Sequence, residues 1–272
     1  MEQTLPSFKS PPLVETALSV QFQLIEKLRN AHLVLFWESI RTEFPEISDA
    51  QPLPEQVEMF DVPPRIQRLP SFRIANEGPA VRFQMASADD QTMVQVQNGR
   101  IIFNWRKTRG CEYPRWNTVF PCFKDILNEF RGMLTSEGFG PITPSQWEVV
   151  YVNHFFKGKD WNEPGDWPAL VPGLVPDAMK FSIGSPESLA CNVHLAMPEK
   201  AGRLHVDLFH GFTGADTKLQ ELLVLQITAR GGIAENSPEI LYNGLERGHM
   251  AIIRTFCDLT GSDAQAKWER EL

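Results

Sequence analysis

Paired cysteines are missing from this chain, and their absence argues against one class of site. The four cysteines are scattered at Cys111, Cys122, Cys191 and Cys257, without a single C-x-x-C pair. Because structural zinc sites need close pairs of ligands, a zinc-stabilised fold is not expected. Isolated thiols of this kind are typical of reduced cysteines in a cytosolic protein.

The signature motifs of common enzyme classes are missing too. The chain contains no G-x-G-x-x-G, G-K-[ST], G-x-S-x-G or H-E-x-x-H sequence. These motifs place phosphate-binding amides, a serine nucleophile or zinc ligands at fixed positions. No cofactor is therefore expected, and the sequence favours a protein that is not an enzyme.

Long apolar runs and a basic charge balance are also absent. No stretch approaches the ~20 apolar residues of a membrane span, and the opening MEQTLPSFKSPP lacks the charged-then-apolar order of a signal peptide. A cytoplasmic protein without membrane association is expected. The formal net charge of −8 disfavours nonspecific binding to nucleic acids or membrane surfaces.

The stretch at 92–116 predicts a β-hairpin followed by a basic, aromatic segment. Asn98 and Gly99 separate two alternating apolar runs, and this pair suits a type I′ turn because both central residues need positive φ. A two-residue loop pairs Gln97 with Arg100. One face of the hairpin is then apolar and belongs in a core: Val94, Val96, Ile101, Phe103 and Trp105.

The opposite face of the hairpin is a row of amide and guanidinium groups. Together with one arginine after the hairpin, it forms a candidate binding surface: Gln95, Gln97, Arg100, Asn104, Arg106 and Arg115. Such side chains pair with planar groups through two hydrogen bonds, so a phosphate, a carboxylate or another chain could bind there. The plainer interpretation is the solvated side of an antiparallel sheet.

The segment at 105–116 also interleaves basic and aromatic residues: Trp105, Lys107, Arg109, Tyr113, Arg115 and Trp116. Aromatic rings can stack on bases while cations neutralise phosphates, so the pattern allows binding to single-stranded nucleic acid. Because the whole chain is acidic, this partner ranks below a protein partner.

The order of elements predicts an α+β fold, mainly an antiparallel sheet with helices packed on one face. The halves at 1–145 and 146–272 have similar element orders. The expected elements are a strand at 14–22, a helix capped by Asn30, a proline-rich loop at 51–70 with a short strand at 71–75, a three-stranded meander at 80–106, a helix at 118–138, a central strand at 146–156, four strands near 179–183, 189–197, 203–212 and 219–229, a helix from Ser237, and a short helix at 262–268.

Three histidines and one aspartate form a candidate metal site: His194, His205, Asp207 and His210. His205 and Asp207 share one face of a strand, but His210 lies on the other face unless a β-bulge intervenes. Two imidazoles and a carboxylate are a possible ligand set for a transition metal. The cluster would suit a metal-dependent enzyme or a small-ligand sensor, and the alternative is an ordinary polar strand face.

Two polar residues fall among apolar neighbours. His249 continues the apolar stripe of the last long helix, and Asn153 shares a strand face with Trp147 and Tyr151. Buried polar groups normally find partners, so hydrogen bonds are expected for both. A general base at His249 and a ligand-orienting amide at Asn153 are the functional alternatives.

Several segments occur in a recognisable order: PPLVETALSVQF, VQVQNGRIIFNWR, YPRW, WEVVYVNHF and HMAIIRTFCDLT, with a late Trp268. In these segments the chain resembles a sporadically distributed family of uncharacterised bacterial proteins, over roughly residues 11–268. The most specific pieces are QVQ, NWR, YPR and the E-x-x-Y-x-N of Glu148, Tyr151 and Asn153. The resemblance implies a bacterial origin, a single full-length unit and patchy occurrence, which suits accessory defence or toxin–antitoxin genes.

These observations together favour binding over catalysis. We expect a non-enzymatic interaction module whose partner is another protein or a second copy of the chain in a homo-oligomer. The motivation is the polar sheet face combined with the missing catalytic motifs.

Overall fold

The structure is a computed structural model that describes residues 5–60, 81–108, 110–177, 182–214, 218–233 and 237–271. Nine strands in these ranges form one open antiparallel sheet, and two further short strands pair as a ribbon. The predicted α+β class with an antiparallel sheet is confirmed. None of the helices in these ranges is long and apolar enough to cross a membrane.

The strands are β1 (Ser7–Phe8), β2 (Leu13–Phe22), β3 (Glu46–Ala50), β4 (Arg82–Ala86), β5 (Thr92–Gln97), β6 (Arg100–Arg106), β7 (Pro144–Phe156), β8 (Ala190–Ala196), β9 (Arg203–Thr213), β10 (Gln220–Gly232) and β11 (Arg270–Glu271). The helices are α1 (Asn30–Ile40), α2 (Trp116–Ser136), α3 (Trp167–Leu170), α4 (Pro238–Leu259) and α5 (Ser262–Lys267).

The large sheet has the strand order β3-β4-β5-β6-β2-β7-β10-β9-β8. Strands β3 to β6 form a meander on one side of the central β2–β7 pair, and strands β8 to β10 form a meander on the other side. In each meander the last strand lies next to the central pair and the first strand lies at the edge of the sheet. A long helix, α2 or α4, follows each meander, so the two sides share an element order. Because β2 pairs with β7, the sheet runs without interruption across the boundary between residues 1–145 and 146–272.

The hairpin between β5 and β6 has the predicted register. Gln97 lies opposite Arg100, and the turn residue Gly99 has a φ of 97°. Glycine adopts this left-handed conformation without a Cβ clash, which is why Asn-Gly closes the turn. The register places the apolar set of the hairpin on the side of the sheet that the helices cover.

That covered face carries the main core. Trp147 of β7 lies under α4, where two glycines of the helix leave room for its ring. A Cβ at Gly244 would come within 2.5 Å of the ring, and one at Gly248 within 2.6 Å. Close backbone-to-ring packing therefore fixes the height of α4 above the sheet, and with it the position of His249 one residue further on.

The other side, the open face, carries polar side chains across β5, β6, β2, β7, β10 and β9. An extended segment of the same chain, residues 51–60, crosses this face, and we call it the strap. No strap residue belongs to a helix or strand, in agreement with the loop predicted there.

Some local predictions differ from the structure. Asn30 is the first helical residue of α1, and the N-cap position belongs to Arg29, whose backbone N–H donates to His32 Nδ1 over 2.9 Å. β3 was not predicted, because its mostly exposed EISDA sequence has no clear apolar alternation. The strand expected at 179–183 is absent at 182–183, which form a turn. Residues 179–181 and the strand expected at 71–75 lie outside the described residues.

Candidate functional site

A cavity of about 450 Å³ lies on the covered face, bounded by β7, α4 and the segments before β2 and α2. Its walls are mainly apolar, including Phe8, Leu13, Trp116, Ile252, Ile253 and Phe256. Several polar side chains line it as well: Ser7, Tyr113, Arg115, Asn117, Tyr151, Asn153, His249 and Glu271. The Glu271 carboxylate accepts from Ser7 Oγ over 3.0 Å. Its volume and its mixture of apolar walls with a few polar groups are typical of small-molecule sites.

Three of these polar residues form one hydrogen-bonded chain. The hydroxyl oxygens of Tyr113 and Tyr151 are 3.0 Å apart, and the Tyr151 hydroxyl lies 2.8 Å from His249 Nδ1. Tyr151 comes from the covered face of β7, His249 from α4, and Tyr113 from the segment before α2. The chain therefore links three separate segments at the cavity wall.

Burial determines the protonation of this network. It raises the pKa of Tyr113 to about 12 and raises the pKa of Tyr151 well above its ordinary value. It lowers the pKa of His249 to about 4. At neutral pH both tyrosines keep their protons and the imidazole is uncharged, so the three residues are neutral hydrogen-bonding groups.

Two polar atoms at the cavity have no hydrogen-bond partner among the described residues, His249 Nε2 and Asn153 Oδ1. The Asn153 amide nitrogen donates to the Leu225 carbonyl over 3.3 Å. A neutral imidazole has one donor and one acceptor nitrogen. If Nδ1 accepts from Tyr151, Nε2 is a donor, and a ligand acceptor would complete the network.

Neighbouring residues hold the imidazole and add a charge. The Trp116 ring stacks on His249, with a centroid distance of 4.1 Å and an angle of 2° between the planes. Arg115 has a φ of 73°, in the left-handed region that a non-glycine residue rarely adopts. Its guanidinium donates to the Phe8 carbonyl over 2.8 Å. Because Arg115 is exposed and lines the cavity, it places a positive charge at the mouth.

The predicted binding surface is divided between the two faces of the sheet. Arg115 lies at the cavity, and its other members lie on the open face. There Gln95 Nε2 donates to Asn104 Oδ1 over 2.7 Å, and Asn104 Nδ2 donates to Glu15 over the same distance. Arg106 pairs with Asp90 at the surface.

Arg100 is part of a buried ion network on the open face. Its Nε donates to Ser19 Oγ over 2.9 Å, and its guanidinium pairs with Glu148. The other oxygen of Glu148 accepts from Arg230 Nε over 2.6 Å. Arg100 is only 5% exposed. Its charge is therefore engaged inside the fold.

Glutamine side chains of the open face bind the strap backbone. Gln97 accepts from the N–H of Leu53 over 2.8 Å and donates to its carbonyl over 2.9 Å. Gln21 makes the same two bonds to Gln56, at 3.0 and 2.8 Å. Gln146 donates to the Gln56 carbonyl and accepts from the N–H of Glu58, each over 2.9 Å.

Glu58 of the strap enters the ion network beside these glutamines. Its carboxylate accepts from Arg203 over 2.6 Å and from Arg230 over 3.1 Å, and it pairs with His205. Burial raises the pKa of Glu58, but the hydrogen bond from His205 and the nearby charges outweigh it and hold the pKa below its ordinary value. The carboxylate is therefore charged at neutral pH.

The structure separates the four candidate metal ligands. The rings of His194 and His205 are neighbours, 4.6 Å apart, and Asp207 pairs with Asn192. His210 lies on the covered face, where its Nε2 is 3.0 Å from Glu221. Across the described ranges, no group of three or more His, Cys, Asp or Glu side chains could hold a metal ion.

The aromatic residues of the segment at 105–116 are packed inward. Trp105 is 1% exposed and contacts the Tyr113 ring, and Trp116 stacks on His249. Arg109 lies outside the described residues. The rings that nucleic-acid binding would need are thus occupied by contacts within the chain.

The sequence predicted individual residues of the cavity but not that they contact one another in the fold. His249 was recognised from the apolar stripe of its helix, and Asn153 and Tyr151 from the face of their strand. As predicted, both polar residues are buried and hydrogen bonded. Glu58 was missed, since a carboxylate in an irregular proline-rich segment carries no periodic signal.

Comparisons with protein-family models and with curated protein sequences found no match to this chain. Functional inference therefore depends on the geometry of these two sites.

Proposed function

We propose that this protein binds a small molecule, largely apolar with an anionic head, in the cavity on the covered face. One observation carries the proposal: a buried polar chain, Tyr113–Tyr151–His249, ends at the wall of an otherwise apolar cavity of about 450 Å³. Buried polar groups are costly unless satisfied. Polar groups with unused hydrogen-bonding capacity at the wall of an apolar cavity are typical of a ligand-binding site.

The ligand chemistry follows from the groups that face it. Ile252, Ile253 and Phe256 offer an apolar wall to the body of the ligand. Arg115 offers a guanidinium at the mouth, which pairs with a carboxylate through two parallel hydrogen bonds. His249 Nε2 and Asn153 Oδ1 offer uncharged polar contacts deeper inside.

Binding is favoured over catalysis by the protonation states. A general base works best with a pKa near the operating pH, whereas the His249 pKa is near 4. Because burial raises the pKa of both tyrosines, neither supplies a phenolate at neutral pH. These groups are suited to orient a ligand through neutral hydrogen bonds, as in a ligand sensor.

Titration with decanoate and 3-phenylpropionate tests the proposal, with decanol and 3-phenylpropanol as uncharged counterparts. Calorimetry should show saturable binding of at least one carboxylate to the wild-type protein. Ile253→Trp should abolish it by filling the cavity. Arg115→Ala should weaken carboxylate binding by about 10-fold or more, the value of a charge-assisted hydrogen bond, while alcohol binding changes little.

Arg106→Ala is the matched control, since this arginine is paired on the open face. It should bind the carboxylates as the wild type does. Absence of saturable binding by every probe, or binding that persists in a folded Ile253→Trp variant, would reject the cavity as the site.

The partner classes suggested by the sequence remain proposals beside this one. A homo-oligomer is tested by light scattering of the purified chain, where a mass of one protomer would reject it. Nucleic-acid binding is tested by salt-dependent association with a single-stranded oligonucleotide.

A further inference from the structure

We propose that the open face is a recognition groove for an extended acidic peptide of a partner protein, and that the strap occupies this groove in the isolated chain. The groove consists of three glutamines, Gln21, Gln97 and Gln146, and the cationic pocket around Glu58. It is separate from the cavity and does not depend on the function proposed for it.

The glutamines recognise main chain, not sequence. Each bonds only backbone N–H and C=O groups of the strap. Leu53 and Gln56 are three residues apart, which spans about 10 Å of extended chain. They bind to β5 and β2, and these strands are two strand spacings apart, also about 10 Å. The spacing of the strap residues therefore matches the spacing of the strands. Any extended peptide laid across the strands can satisfy this ladder.

The cationic pocket supplies selectivity. Arg203, Arg230 and His205 contact Glu58, and Arg100 lies behind them against Glu148. Without Glu58, three guanidinium groups would face one carboxylate. Because buried cations need an anionic partner, the occupant of the groove must bring a carboxylate to this position.

Two guanidinium groups of the pocket are held by contacts independent of the strap, whereas Arg203 contacts Glu58, the Met59 carbonyl and the Phe60 ring of the strap itself. Arg230 Nε is fixed by Glu148 over 2.6 Å, and Arg100 Nε by Ser19 over 2.9 Å. A site that keeps its shape when empty avoids much of the ordering cost of binding. Arg230 and Arg100 are therefore already placed for a second occupant of the groove.

The strap is attached as a bound peptide would be. Glu58 has a buried side chain, but no strap residue as a whole is in the buried class, and Val57 and Met59 are 67% and 38% exposed. Core loops gain stability by burying apolar groups, whereas the strap is held mainly by hydrogen bonds, one carboxylate and a cation–π contact between Arg203 and Phe60. Segments with little apolar burial open locally at low free-energy cost.

Competition by a synthetic peptide tests the inference. A fluorescein-labelled peptide with the sequence of residues 51–60, QPLPEQVEMF, is titrated by anisotropy into the wild-type protein and into Glu58→Ala, whose own strap has lost its anchor. Saturable binding to Glu58→Ala, at least about 10-fold tighter than to the wild type, is expected because the resident strap competes less.

Two controls decide what is recognised. The same peptide with glutamine in place of its second glutamate should bind Glu58→Ala about 10-fold more weakly or worse. Adding Arg203→Gln to the protein should remove the preference for the acidic peptide. A folded Glu58→Ala that binds neither peptide, or both equally, would overturn the proposal.

Hydrogen exchange of the wild-type protein gives a test that no folding defect can obscure. The amides of Leu53, Gln56 and Glu58 are bonded to the three glutamines. A displaceable strap requires these amides to exchange by local opening, faster than the amides of β2 and β7. Exchange only through global unfolding would show that the strap is a fixed part of the fold.

Discussion

The two faces of the sheet bury polar groups in opposite ways. On the covered face, Tyr113, Tyr151 and His249 form a neutral chain, and burial moves every pKa toward the uncharged form. On the open face, Arg100, Glu148 and Arg230 form buried ion pairs that compensate one another. The same strands thus support a neutral network under helices and an ionic network under a strap.

The contrast teaches that solvent access is not the deciding variable, since Glu148 and Tyr151 are both about 6% exposed. What differs is the neighbouring chemistry. A charge can remain buried where opposite charges and hydrogen bonds surround it, and a titratable group among apolar residues takes its neutral form. The two faces should therefore respond differently to mutation and to acid.

The largest expected effect is the loss of a carboxylate from the open face. Glu148→Ala leaves Arg100 and Arg230 without this partner and should lower the free energy of unfolding by about 3–5 kcal/mol, measured by urea denaturation. Arg106→Ala, which removes an exposed pair, should cost about 1 kcal/mol or less. Equal losses in the two variants would contradict the distinction between a buried network and a surface pair.

Acid should weaken the covered face through His249. The pKa of His249 falls from 6.5 to about 4 on folding, so the unfolded chain binds more protons between these values. The contribution of this residue, about 3 kcal/mol, is complete above pH 6.5 and is lost as the pH falls toward 4. Denaturation of the wild type and His249→Gln should show stabilities that converge over this window.

Glu58 on the open face should keep its contribution over the same pH range. Because the pKa of Glu58 is lowered, its stabilising contribution is present above about pH 4.5 and is lost only as the pH falls through the folded-state value. Burial also lowers the pKa of His154 and His194. Because the wild type and His249→Gln both contain these groups, their contributions cancel when the stabilities of the two proteins are compared.

Packing on the covered face gives a smaller effect. Gly244→Ala places a Cβ 2.5 Å from the Trp147 ring. Because the cost of overpacking should exceed the gain in helix propensity, the free energy of unfolding should fall by about 1–2 kcal/mol. Gly132→Ala in α2 has nothing within 4 Å of the added Cβ and should stabilise by about 1 kcal/mol. Thermal denaturation should show changes of opposite sign, and a gain for both would contradict the close packing.

The smallest effect concerns a hydroxyl on the covered face. Thr16 Oγ1 is buried without a hydrogen-bond partner among the described residues, so Thr16→Val removes an unsatisfied group at nearly constant volume. A gain of about 1 kcal/mol in the free energy of unfolding is expected. A measured loss would indicate that an ordered water binds this hydroxyl.

Much of the fold could be predicted because its signals are local. The Asn98-Gly99 turn, the alternation of β7 and the apolar stripe of α4 each depend on residues a few positions apart. β3 escaped prediction since its exposed residues lack that alternation. Of the candidate sites, the residue types on the sheet faces were predictable, but their partners were not.

By itself, the sequence determined the fold class, the register of the hairpin and which side of the hairpin is apolar, because backbone sterics and side-chain periodicity act over a few residues. The tertiary structure alone decided that His249 meets Tyr151 across 98 positions and that Glu58 reaches Arg203 across 145. Such meetings depend on strand order and on the path of the strap. Both are set by the packing of the whole sheet, since no local pattern specifies which distant segment a polar group will face.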